Sequence, residues 1–321
     1  YNGIPADGVQ FPTWSEGNNQ TDIVWYDGKK NADGSFSVSI YRSDFKVDGQ
    51  YNTHVYVVNN AGKSPIYGMS YNMYTPTNYD SYSAEVMRNI IYAVETGGQI
   101  YGNARYNCFT TAFKNSGSEY AITVGAGAWY GVSAKALLKQ IRDTDPSSFA
   151  RLDNAGIAED LNNEDWRYYG TDLDSSTIGT ITSLPTNLER REEGRKHITI
   201  QNGSPKAVAI QNIISSKAGM AVQNRLVDEQ MQQYVNEALD LGVTDLKARM
   251  FCANIRHLGG YSSMKRVVNN CINDGLPLTM DNIWQTMLKH DSQNSGANQV
   301  GSPIYHTRHI KVMNWLNKYL G

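Results

Sequence analysis

An excess of charge of either sign is absent from this 321-residue chain. Its 29 lysines and arginines stand against 31 aspartates and glutamates, a formal net charge of −2. The basic surplus that phosphate backbones select is therefore missing, which excludes nucleic acid as an expected partner. Long apolar runs are missing as well: no stretch approaches the roughly 18 residues needed to span a bilayer. No charged-then-apolar leader precedes YNGIPADG, which reads as the start of a mature protein or an excised fragment. Cysteine is scarce, with Cys108, Cys252 and Cys271 at no metal-ligand spacing. An odd count cannot complete a disulfide framework, so the three are expected as small buried thiols. There is no His-Glu-x-x-His zinc motif, and GAGAWYG lacks both the Lys-Ser/Thr of a phosphate loop and the dinucleotide fingerprint. Neither a metal nor a cofactor is expected, and internal repeats and low-complexity tracts are absent.

The patterning that is present changes along the chain. The length favours two domains. From 9 to about 73 the text is strand-like: DIVWYDG sets a β-branched and aromatic cluster before a turn, and SFSVSIY alternates Phe36, Val38 and Ile40 with serines. In GQYNTHVYVVNNAGK, Tyr51, Thr53, Val55 and Val57 share one parity before an Asn59-Asn60-Ala61-Gly62 turn. The stretch containing Pro76 has no clear period, and beyond Ser83 the period becomes helical, with Ser83 as the expected N-cap, Glu85 in the first turn, and Val86, Met87, Ile90 and Val94 recurring before Gly97-Gly98. EYAITVGAGAWYG is the one clear strand segment that follows, and six further helical stretches run to the end. The expected fold is multi-domain: a small all-β sandwich at 1–74, a linker at 75–82, and an α+β, mostly helical domain at 83–321.

Glu95 is the residue that asks for a chemical explanation. It falls in the last turn of its predicted helix, where the dipole's negative end and apolar neighbours disfavour an ionised carboxylate, so its pKa is expected to be raised. A carboxylic acid protonated near neutral pH is what cleavage of a glycosidic bond requires, because the leaving alkoxide must receive a proton. Tyr101, Tyr106, Trp129 and Tyr130 offer flat faces with polar edges that suit a pyranose ring, core packing being the competing role for each. His257 is a further substrate-binding candidate.

The run ETGGQIYGNARY, FTTAF and EYAITVGAGAWYG, with LLKQI, FARLD, HLGG and YHTRH downstream, resembles the active-site segment of the lysozyme superfamily. More narrowly it is similar to glycosidase domains of streptococcal autolysins of the AtlA type and of phage endolysins. The stretch WSEGNNQTDIVWYDG, DGSF and GQYNTHVYVVNNAG resembles the group B streptococcal Bsp-like repeat. These resemblances imply a lysozyme-like domain behind a Bsp-like repeat, in a secreted, cell-surface, monomeric peptidoglycan hydrolase. Its partners would be the glycan strands of the cell wall, cut at their β-1,4 bonds, as an N-acetylmuramidase by analogy with lysozymes. By the same match Glu95 takes the general-acid position and Thr123 that of a threonine near the catalytic water. The hairpin aspartate of relatives is absent, Asn107 and Cys108 standing where it would be sought. Glu119 is the preferred second carboxylate, ahead of Asp153 and Asp165. An endo-β-N-acetylglucosaminidase, a catalytically silent wall-binding protein and a cysteine peptidase using Cys108 are the alternatives.

Overall fold

The computed structural model describes residues 7–41, 44, 45, 47, 49–73, 78–97, 99–101, 104–291 and 299–321. Pro76, with the first part of the expected linker, and Gly98 lie outside the described residues.

Period-two alternation builds the N-terminal region. Strands β1 (Gly8–Ser15), β2 (Val24–Asp27), β5 (Gly49–Asn59) and β6 (Gly62–Met73) form an antiparallel sheet in the order β2-β1-β5-β6, and β3 (Lys29–Lys30) with β4 (Phe36–Ser37) forms a separate ribbon. Tyr51, Thr53 and Val57 are buried on one face of β5, as their shared parity requires. Thr13 pairs with Thr53 across the sheet, their hydroxyls 2.7 Å apart, and Thr53 in turn meets the Tyr71 hydroxyl at 2.7 Å. The two buried threonines and the half-buried tyrosine thereby satisfy one another. The expected turn is present: Asn59 pairs with Gly62, and its side-chain oxygen accepts the Ala61 amide. The alternation of Val38 and Ile40 does not extend β4, which ends at Ser37.

The remainder is mostly helical, so the expected order of an antiparallel β-region followed by a helical one holds. Helix α1 (Ser81–Thr96) begins two residues earlier than its expected cap at Ser83, because the Asp80 carboxylate accepts the Ser83 amide at 2.8 Å. By contacts the chain forms two compact units, one of Tyr1–Val86 with Tyr234–Gly321 and one of Met87–Gln233. This partition falls within helices and differs from the 83–321 span read as one domain.

The Met87–Gln233 unit holds strands β7 (Phe109–Thr110), β8 (Thr123–Val124) and β9 (Trp129–Tyr130), and helices α2 (Val132–Thr144), α3 (Pro146–Leu152), α4 (Ile157–Asn163), α5 (Ser175–Ser183), α6 (Asn187–Gly194) and α7 (Pro205–Ile214), with most of α8 (Lys217–Asp240). Its core gathers Ile122, Val124, Leu138, Phe149, Trp166 and Ile210. The sequence reading missed α3 to α6, which are too short to show a period. Their starts are set by side chains instead. Asp145, Asp174 and Thr186 accept amides at the N-termini of α3, α5 and α6, and Asp153 accepts those of Ile157 and Ala158 in α4. Each such cap contributes about 1 kcal/mol.

The other unit packs α9 (Leu246–Asn273), which breaks at Gly260, with α10 (Met280–His290) and α11 (Pro303–Leu320). His309 of α11 is fully buried between the rings of Phe251 and Trp284. Its Nε2 donates to the Val300 carbonyl at 2.7 Å, which leaves Nδ1 to accept from the Asn254 amide at 3.1 Å. Arg308 orients that amide by donating to its oxygen. Burial, opposed by the bond to Val300 and reinforced by Arg308 and His306, pushes the imidazole down to about 4. The unfolded chain, with an ordinary histidine near 6.5, therefore takes up the proton first. This contribution to stability is complete above about pH 6.5 and is lost as pH falls towards about 4, a loss of about 2–3 kcal/mol by pH 4.5. We expect the advantage of wild type over His309→Gln in thermal unfolding to shrink by that amount between pH 7 and pH 4.5. Parallel loss in both proteins would remove His309 as the titrating group.

Candidate active site

Alternation within the small sheet decides which side chains meet solvent. Phe109 pairs with Val124 and Val124 with Trp129; Thr110 pairs with Thr123 and Thr123 with Tyr130. The first row faces the core, with Phe109 and Val124 buried and Trp129 packed on the same cluster. The second row, Thr110, Thr123 and Tyr130, lines a cavity of about 420 Å³ together with Glu95, Glu119 and Cys108. The two glycines of GAGAW make room for the turn between β8 and β9. A Cβ at Gly125 or Gly127 would lie 2.9 or 2.8 Å from the Trp129 ring, which folds back over its own turn.

Glu95 reaches the cavity from the penultimate position of α1. The preceding turn is fixed against α8. Tyr92 is buried, its hydroxyl donates to Asn224 Oδ1 at 3.0 Å, and the Tyr106 hydroxyl donates to the same oxygen at 2.9 Å. Arg88 pairs with Asp228 one turn earlier. Burial and the nearby Tyr106 push the Tyr92 phenol upward, so it remains a donor at any physiological pH.

Glu119 enters from the loop between β7 and β8. Its Oε2 accepts the amides of Asn115 and Ser116 at 3.0 and 3.3 Å, which closes a turn and fixes the plane of the carboxylate. No described residue donates to Oε1. Tyr130 is held by the Tyr120 amide, which donates to its hydroxyl at 2.8 Å.

Glu95, Glu119, Thr123 and Tyr130 thus come together among the residues singled out in the sequence. The others do not line the cavity. Trp129 packs on the glycine turn, Tyr106 is spent on Asn224 and on an edge contact with Tyr92, and Tyr101 lies in the connection after α1 with φ +60. His257 belongs to α9 and hence to the other compact unit. Asp153 caps α4, and Asp165 is paired with Arg167 at 2.8 Å on a separate cavity of about 550 Å³. In that larger cavity Lys206 is also engaged, by Asp160. Thr110, Asn115 and Ser118 line the candidate site and were not singled out. The register of a short β7 against β8 would have pointed to Thr110.

Cys108 shares the cavity, and burial pushes its thiol up despite Arg105 and a bond with Thr110. It is therefore protonated at neutral pH, and no histidine lines the cavity to take its proton. Among the described residues no group of three or more His, Cys, Asp or Glu could hold a metal ion. His306 and His309 are engaged by the carbonyls of Gly301 and Val300.

No described helix is long and apolar enough to cross a membrane. No curated protein and no solved structure matches the chain. Residues 3–71 match the family model of the GBS Bsp-like repeat, which spans β1 to β5 and nearly all of β6. The N-terminal β-region is accordingly a Bsp-like repeat, consistent with a cell-surface protein.

Proposed function

We propose that the chain is a secreted, cell-surface peptidoglycan hydrolase that cleaves the β-1,4 bonds of wall glycan strands, as an N-acetylmuramidase acting as a monomer. One observation carries this reading: Glu95 and Glu119 reach the same solvent-open cavity from a helix end and a backbone-anchored loop. Glycosidic cleavage needs two carboxylic groups flanking one bond. Glu95 is the general acid, giving its proton to the departing glycosidic oxygen as the bond to the anomeric carbon breaks. Glu119 faces the positive charge that develops there. Its orientation is set by two amides through Oε2, which leaves Oε1 to address the sugar or the attacking water. Thr123, between Thr110 and Tyr130 in the polar row, holds that water by its hydroxyl. Tyr130 presents its ring as a platform for the pyranose. The Bsp-like repeat supports the wall as the setting.

Purified walls test the reading. Glu95→Gln keeps the shape and removes the proton, so release of new reducing ends should fall by at least about two orders of magnitude, the scale of general-acid loss, without a change in melting temperature. A folded Glu95→Gln protein that lyses walls at the wild-type rate would show that Glu95 is not the acid. The identity of the reducing sugar separates a muramidase from a glucosaminidase. Walls bound without any new reducing end would identify a binding protein.

Glu119 requires a separate measurement, because it closes a turn as well as lining the site. Glu119→Gln retains an oxygen for the Asn115 and Ser116 amides but loses the charge. Turnover should therefore fall strongly with little change in substrate binding, and one limb of the pH–rate profile should disappear. A lower melting temperature with intact specific activity of the folded fraction would instead confine Glu119 to its turn.

A further inference from the structure

The Bsp-like repeat carries a cavity of its own, of about 530 Å³, lined by Trp14, Glu16, Asn19, Gln20, Asn52 and His54. Its floor comes from the sheet. Trp14 of β1 pairs with Asn52 of β5, and His54, two residues on along the same strand, sets its ring edge to the indole with centroids 4.8 Å apart. The imidazole lies over Gly68 of β6, where a Cβ would stand 3.0 Å from its Cδ2, so the absence of a side chain there makes room for the ring. Asn52 is held at both ends, its amide donating to Glu16 and its oxygen accepting from Ser70.

The rim is a short loop in an unusual conformation. Asn19 and Gln20 both have positive φ, +48 and +66. Asparagine tolerates that region, whereas for glutamine, whose carbonyl accepts the Ile23 amide at 3.3 Å, it is a conformation in which the backbone favours glycine. The loop is held in place by Asp22, which accepts from the Ser15 amide and hydroxyl and from Asn18. A strained, well-anchored backbone that presents a long polar side chain at the mouth of a cavity points to a binding role.

The lining specifies the ligand's chemistry. The ring pair Trp14–His54 contributes aromatic edges, the indole itself being largely buried. The Glu16 carboxylate, which accepts, and three amides, which both donate and accept, surround the pair. No lysine or arginine is among the lining residues, and the Glu16 carboxylate repels anions, which excludes a phosphate or a carboxylate ligand. A small uncharged ligand rich in hydroxyls, each able to donate and to accept, is the complement of this mainly polar lining with its aromatic edge, and the volume suits it. We infer that this cavity of the Bsp-like repeat is a saccharide-binding site that takes an uncharged pyranose of a wall glycan. The inference is independent of the hydrolase reading, since the cavity lies within residues 14–54 and includes no residue of the candidate active site.

Two trisaccharides distinguish the sources of such a sugar: tri-N-acetylchitotriose for the amino-sugar glycan strand, maltotriose for a neutral wall polysaccharide. Each is titrated at millimolar concentration into the full chain, and the Trp14 indole N–H resonance, assigned by its loss in Trp14→Phe, reports the site. At least one sugar should shift that resonance with saturation. Gln20→Gly should weaken the binding by about fivefold, the loss of one hydrogen-bonding side chain, while the melting temperature stays level or rises because the backbone strain is relieved. His54→Ala should weaken it too. The inference is overturned if neither sugar moves the Trp14 resonance, or if Gln20→Gly and His54→Ala both bind like wild type.

Discussion

A single buried amide, that of Gln223 in α8, fixes the geometry of the candidate active site. Its oxygen accepts the Ala126 amide at 2.8 Å, and its nitrogen donates to the carbonyls of Ile214 at 2.8 Å and Tyr106 at 3.3 Å. One fully buried side chain thereby ties together the turn that joins β8 to β9, the end of α7 and the segment that follows α1. Removing it would leave a buried amide and two carbonyls unsatisfied, each costing about 1–3 kcal/mol. Asn224, the next residue, receives Tyr92 and Tyr106. Two adjacent amides of one helix therefore set the positions of both the sheet and the end of α1. The cavity between Glu95 and Thr123 depends on α8, which contributes no side chain to it.

That division explains what could be read in the sequence. The residues that touch the cavity lie close together in the chain, and local rules reach some of them. Glu95 stands out because an acid at a helix C-terminus opposes the dipole. Glu119 is the other carboxylate of the same segment, whereas Thr123 comes from the lysozyme resemblance and Thr110, Asn115 and Ser118 are not marked by any local rule. The supports lie about a hundred residues downstream, and nothing in MAVQNRLVDEQ marks Gln223 or Asn224 as different from other polar residues of a long helix. The short helices between 146 and 194 were hidden for a related reason. Two turns of helix show no period, and their caps are ordinary Asp and Thr residues that acquire meaning only once the helix is known.

The aromatic residues show where local reading misleads. Trp129 and Tyr130 are equally plausible as a cleft wall when read as a pair. In a strand they point to opposite faces, and β9 is a strand. Trp129 shares the core face with Val124, and Tyr130 shares the solvent face with Thr123. The parity was legible, because Ile122 and Val124 are apolar while Thr123 is not. What was not legible was the register, which depends on the glycine turn closing over the indole. Tyr106 is a different case: its hydroxyl finds Asn224, a partner no sequence pattern announces, and that bond makes it part of the scaffold.

The two carboxylates of the cavity differ in a way that bears on their chemistry. Glu119 has one oxygen fixed by two backbone amides of its own loop, so its orientation is determined by the chain within five residues and survives small shifts elsewhere. Glu95 is carried by a helix: α1 is placed by Tyr92 and Arg88 against α8. A group that must face a developing charge gains from being held in advance. In the proposed reading, the part of stabilising charge accords with the way Glu119 is held through Oε2 by the amides of its own loop.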